Sequence, residues 1–81
     1  MNKKIFIASD HAGYEMKTKL TDYFSSLIDL GTNSKDSVDY PDFAHKLTTE
    51  IIKNDGSLGI LICGTGVGMS IAANRTIGIR A

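Results

Sequence analysis

One cysteine, one proline and two histidines stand in a chain of 81 residues, and each scarcity removes a class of explanation. The lone thiol, Cys63, closes no internal disulfide, so the chain is not a cross-linked secreted scaffold and a reducing cytoplasm is the default compartment. An excess of charge is missing as well. Nine Lys and Arg balance nine Asp and Glu without a basic run, which gives neither nucleic acid nor an anionic membrane a reason to bind. No apolar run reaches membrane-spanning length, and the one after Lys4 stops at Ser9 and Asp10, too soon for a signal peptide. A small neutral or anionic ligand fits this balance better. Residues 1–81 make a single small unit, and a chain of this size buries a modest share of its surface, so association with a partner is expected.

The hydrophobic pattern alternates between two periods. Ile5, Phe6, Ile7 and Ala8 form a short apolar run ended by Ser9 and Asp10, as in a strand buried on both faces. Residues 13–26 then change to helical spacing, with Met16, Leu20, Tyr23, Phe24 and Leu27 as the apolar stripe and Glu15, Lys17, Lys19 and Asp22 opposite. Residues 27–30 read as a second strand and 31–38 as a loop. The single proline, Pro41, marks a helix start, and Phe43, Ala44, Leu47, Ile51 and Ile52 make one stripe up to a stop at residues 54–57. Residues 58–63 predict a third buried strand, 64–68 a glycine turn, 69–75 a helix and 77–81 the opening of a fourth strand. The order βαβαβαβ predicts an α/β fold with a doubly wound parallel sheet, Rossmann-like and of flavodoxin-type order, in three αβα layers.

In such a sheet ligands sit beyond the carboxyl ends of the strands where the winding reverses, here between the first and third strands. The unusual residues fall there: Asp10 and His11 after the first strand, and Cys63, Gly64, Thr65, Gly66, Val67, Gly68, Met69 and Ser70 after the third. Gly64, Gly66 and Gly68 let backbone approach a ligand, and the helix that follows offers free N–H groups and a positive dipole end, so the turn is a candidate anion cradle. It is neither a dinucleotide fingerprint, whose third glycine falls at Met69, nor a Walker A loop, which needs Gly-Lys. An isolated cysteine ending an apolar strand is usually a small buried hydrophobe. Beside a helix N-terminus, however, the thiolate is favoured, and Cys63 becomes a usable base. Asp10 fits a helix cap as well as it fits catalysis, His11 fits an exposed loop, and His45 lies off its helix's apolar stripe. Met16, Tyr23 and Phe24 are expected in the core.

Four blocks in this order resemble one family: Ser9 to Gly13, Asp29 to Gly31, Val38 to Asp42, and Cys63 to Asn74. Together they are similar to the ribose-5-phosphate isomerase B and galactose-6-phosphate isomerase family, from residue 5 to the last residue. The resemblance implies a metal-free, cofactor-free aldose–ketose isomerisation of a small phosphorylated sugar through an enediolate, with ribose 5-phosphate favoured over allose or galactose 6-phosphate. By resemblance Cys63 is the base that moves a proton between C2 and C1. Met69 occupies the position where another branch of the family carries a glutamate base. The amides of Gly66, Val67 and Gly68, in the loop opened by Gly64, match the oxyanion cradle, and Thr65 matches a hydroxyl that assists proton movement. Asp10 and His11 match residues that contact the sugar and its phosphate, and Tyr40 matches a pocket wall.

The pattern departs from the family in two ways. The stretch between His11 and Asp29 is a few residues short, and family members continue for about as long again, carrying a ring-opening histidine and phosphate-binding arginines. The expectation is therefore an N-terminal portion truncated after about four strands, working as a homodimer or with a complementing C-terminal half. Two other readings stand beside the enzyme: a phospho-sugar-binding module of the same fold, and an inactive remnant of an interrupted reading frame.

Overall fold

The computed structural model describes residues 3–33 and 40–81, Tyr40 by its backbone alone. Its elements are β1 (Ile5–Ser9), α1 (Tyr14–Tyr23), β2 (Leu27–Asp29), α2 (Tyr40–Lys53), β3 (Leu58–Ile62) and α3 (Val67–Asn74). The three strands form one parallel sheet in the order β2-β1-β3, with Ile5 level with Leu27 on one side and with Leu58 on the other. β1 is central, which is why its apolar run is uninterrupted: Phe6, Ile7 and Ala8 are all buried.

Side chains alternate across a strand, so Phe6 and Ala8 face one layer while Ile7 and Ser9 face the other. Phe6 and Ala8 pack with Leu47 of α2, flanked by Leu30, Phe43, Ile51 and Leu61. α3 lies in the same layer, where Thr48 and Thr76 share a 3.0 Å hydroxyl hydrogen bond and Met69 and Ala73 are buried. α1 covers the opposite face through Lys17, whose ammonium reaches Asp29 of β2. The result is the three-layer, doubly wound arrangement expected from the sequence. Gly59 explains itself here, because a Cβ at that position would lie 2.5 Å from Leu47 Cδ2 and force that core side chain to shift.

Three expectations need correction. Residues 77–81 do not continue the sheet as a fourth strand. Ile79 N–H donates to the Thr76 carbonyl, Gly78 has φ +93°, and the Asn74 carboxamide holds both the N–H and the carbonyl of Ala81. That stretch folds back on the end of α3, with Gly78 beside Ile52, so the Ile79 and Ala81 backbone groups are bonded away from β3. β3 in turn is not a buried strand: Leu58 is 54% and Ile60 36% exposed along the outer edge of the sheet.

The third correction concerns α1, which ends at Tyr23 and presents a different face from the one its apolar spacing suggests. Met16, Tyr23 and Phe24 are exposed, the last two in an edge-to-face pair at 4.9 Å, whereas Lys17 is only 2% exposed. Periodicity identifies an apolar face but not which face the sheet selects, and here a strand carboxylate selects the lysine. Among the described residues no helix is long and apolar enough to cross a membrane.

Candidate active site at the carboxyl ends of β1 and β3

β2 and β3 flank β1 on opposite sides, so the winding reverses between β1 and β3, and their carboxyl ends open on the same crevice. Ser9 is level with Ile62, and Asp10 N–H donates to the Ile62 carbonyl at 3.2 Å, extending the pairing one residue past the strands. Asp10 and Cys63 therefore leave adjacent strand ends in parallel. Gly13 makes the approach possible: a Cβ there would lie 2.6 Å from the Ile62 carbonyl oxygen. One residue further along, a Cβ on Gly64 would meet Ala12 Cβ at an ordinary 3.8 Å.

Asp10 is buried, and its Oδ1 accepts the Gly13 N–H at 3.0 Å, closing the turn into α1. The helix-capping role weighed for this carboxylate is not what the structure shows: the N-cap of α1 is Gly13, without a side-chain cap bond, and Asp10 closes the turn that precedes the helix. His11 is exposed on the same turn. Across the crevice Cys63 is half-buried and reduced, and its Sγ accepts the Gly66 N–H at 3.0 Å. Gly66 has φ +81°, a left-handed conformation natural to glycine, and this bend turns the amide back over the sulfur. Thr65 Oγ1 accepts the Val67 N–H at 3.2 Å, and the Gly66 carbonyl accepts the Ser70 N–H as the first turn of α3 begins.

Two of the three amides expected to cradle an oxyanion, those of Gly66 and Val67, are therefore held by the loop's own side chains. Gly68 is half-buried at the second position of α3, and Met69 points into the core with 1% exposure, so it is a packing residue. The pocket-wall role expected of Tyr40, and the Val38 and Asp39 part of its motif, lie outside the described side chains. A groove of about 340 Å³ runs along the free edge of β3, lined by Leu58, Gly59, Met69 and residues 78–81. Asp10, His11, Cys63 and Thr65 are not among its lining residues, and it meets the glycine loop at Gly66 and Ser70.

Sequence reasoning missed what stands behind the crevice. Lys17 Nζ lies 2.7 Å from Asp29 Oδ2 and 5.4 Å from the Tyr14 ring centroid, and Asp29 Oδ1 accepts the Gly31 N–H at 2.8 Å. The signal was a carboxylate, Asp29, closing a short strand beside the central one. The group that needs the pairing is the enclosed ammonium of Lys17, which the carboxylate supplies with a counter-charge.

Fold and crevice define an α/β protein that presents a thiol, a hydroxyl and a glycine-rich amide loop at a switch point. The chain belongs to the ribose/galactose isomerase family, whose model matches residues 5–81. It is similar to a ribose 5-phosphate isomerase of Thermotoga maritima, with 52% identity and a TM-score of 0.92 over 99% of this chain and 58% of that one. A ribose-5-phosphate isomerase B of Clostridium thermocellum superposes with a TM-score of 0.86 at 47% identity, over 95% of this chain and 55% of that one. A ribose-5-P isomerase B of Listeria innocua is 45% identical over 82 residues, covering 96% of this chain and 55% of its own. The chain thus spans little more than half the length of the relatives it matches.

Proposed function

We propose that this chain supplies the proton-transfer half of a sugar-phosphate aldose–ketose isomerase, acting on ribose 5-phosphate to give ribulose 5-phosphate. The observation that carries the reading is the Gly66 N–H on Cys63 Sγ at 3.0 Å, at the head of α3 and beside the end of β1. A thiol held among backbone donors at a switch point suits abstraction of a proton next to a carbonyl.

In the open-chain sugar the Cys63 thiolate takes the C2 proton. The electron pair released forms the C1–C2 double bond, and the C1 carbonyl oxygen becomes the oxyanion that the amides of Gly66, Val67 and Gly68 receive. Returning the proton to C1, while the O2 hydroxyl proton passes to O1 with help from Thr65 Oγ1, leaves the ketose. Asp10 and His11 hold the sugar and its phosphate from the β1 side, with Tyr40 and Gly64 completing the wall. No cofactor enters this scheme, and the working unit is a homodimer or a pair with a C-terminal half.

A second reading, binding of a sugar phosphate without turnover, needs only the amide loop at the head of α3, where Gly66 turns through φ +81°. Isothermal titration with ribose 5-phosphate beside a turnover assay separates the two. Heat of binding without ribulose 5-phosphate supports the binding module, and turnover supports the enzyme.

A further inference from the structure

We propose that the half-buried Lys17–Asp29 ion pair is a positioning device for the candidate site, fixing the end of β1, and with it Asp10 and His11, against the loop that carries Cys63. The ammonium is almost fully enclosed, with 2% exposure, while the side chain of its carboxylate partner keeps 35%. A lysine is rarely enclosed to this extent without a partner.

The hydrogen bonds run on from the pair in one direction. Asp29 Oδ2 takes Lys17 Nζ at 2.7 Å, and its Oδ1 takes the Gly31 N–H at 2.8 Å. The Gly31 carbonyl then accepts the Ser9 N–H at 2.8 Å, and the Ser9 carbonyl accepts the Thr32 N–H at 3.0 Å. Ser9 is the last residue of β1, and the next residue, Asp10, is bonded through its N–H to the Ile62 carbonyl and through its carboxylate to Gly13. Four residues past Gly13 the chain returns to Lys17, whose N–H donates to the Gly13 carbonyl at 2.9 Å. The turn bearing Asp10 and His11 is thus clamped twice, from β2 through Gly31 and from α1 through Lys17, and the two clamps meet at one ion pair. β2 itself is only three residues long, so Gly31 extends its hold past the end of the strand.

The catalytic consequence rests on the isomerase reading, whereas the geometric one does not, and the test keeps them apart. Lys17→Met removes the charge and keeps the stem, Lys17→Arg restores a cation able to reach the carboxylate, and both are made in the 81-residue chain. Backbone amide spectra should show displaced resonances for Ser9, Asp10, Gly13 and Gly31 in Lys17→Met, returning towards their original positions in Lys17→Arg. If ribose 5-phosphate is turned over, Lys17→Met should lower kcat/KM by about 10- to 100-fold, and Lys17→Arg should recover most of it.

If Lys17→Met does not fold, Asp29→Asn, which keeps an acceptor for Gly31 and loses the charge, should displace the same four amides. Displacements confined to the neighbours of residues 17 and 29, or a lowered melting temperature with kcat/KM unchanged, would overturn the positioning role. A chain that turns over no sugar while its amides respond as stated would count against the isomerase reading and leave the clamp standing.

Discussion

At the residue scale, small groups decide how closely the two strand ends approach. Gly13 and Gly66 are both indispensable in appearance, but for different reasons, and the difference is measurable. At Gly66 nothing lies within 4 Å of an added Cβ, so Gly66→Ala meets only the left-handed backbone penalty, about 1–2 kcal/mol. At Gly13 the added carbon collides with the Ile62 backbone, which cannot swing aside, so Gly13→Ala should cost about 1–3 kcal/mol and part the ends of β1 and β3. Urea unfolding gives both costs, and loss of the Asp10 to Ile62 amide contact should accompany only the second.

Ser9 offers a change of opposite sign. Its Oγ is buried without a hydrogen-bond partner among the described residues, so Ser9→Ala removes a desolvated hydroxyl at little loss of packing. It should raise stability by up to about 1 kcal/mol in the same measurement. A loss of stability of that size would show that the hydroxyl has a partner after all.

At the scale of elements, what was legible in the sequence followed from strong local signals. β1 reads directly because a strand covered on both faces has to be continuously apolar, and α2 reads to its last residue because Pro41 opens it and residues 54–57 close it. The switch point was legible too, since helices between successive strands force a parallel sheet, and the chemistry-bearing residues cluster after the first and third. α1 was read on the wrong face because its selection depends on Asp29, twelve residues away, and helical spacing carries no knowledge of a carboxylate on a neighbouring strand. The terminal stretch was misread for a related reason. Ile77 and Ile79 have strand-like character, but Gly78 and the Asn74 carboxamide turn the backbone onto α3.

These faces can be told apart by substitution. Leu47→Ala, in the cluster with Phe6 and Ala8, should cost about 2–5 kcal/mol, as deletions in a packed core do. Met16→Ala and Tyr23→Ala, on the exposed side of α1, should each change stability by less than about 0.5 kcal/mol. Thermal or chemical denaturation of the three variants checks both halves, and a large loss at Met16 would restore the face suggested by the spacing.

At the scale of the whole molecule, the outer edge of β3 and the groove beside it carry Leu58 and Ile60 in the open, and Ile52, Ile71 and Ile77 are exposed on the α2–α3 side. An open strand edge with apolar side chains favours pairing with another chain. Sedimentation velocity over a wide range of concentration should therefore show mass rising with concentration, and a monomer throughout would contradict it.

The most direct test of the site is turnover of ribose 5-phosphate by the purified 81-residue chain, beside Cys63→Ala, with the folded state of both verified by circular dichroism. The predicted result is formation of ribulose 5-phosphate by the unsubstituted chain and none by Cys63→Ala. Equal turnover by the two, or none by a folded unsubstituted chain, would contradict the proposal that Cys63 of this chain moves the proton.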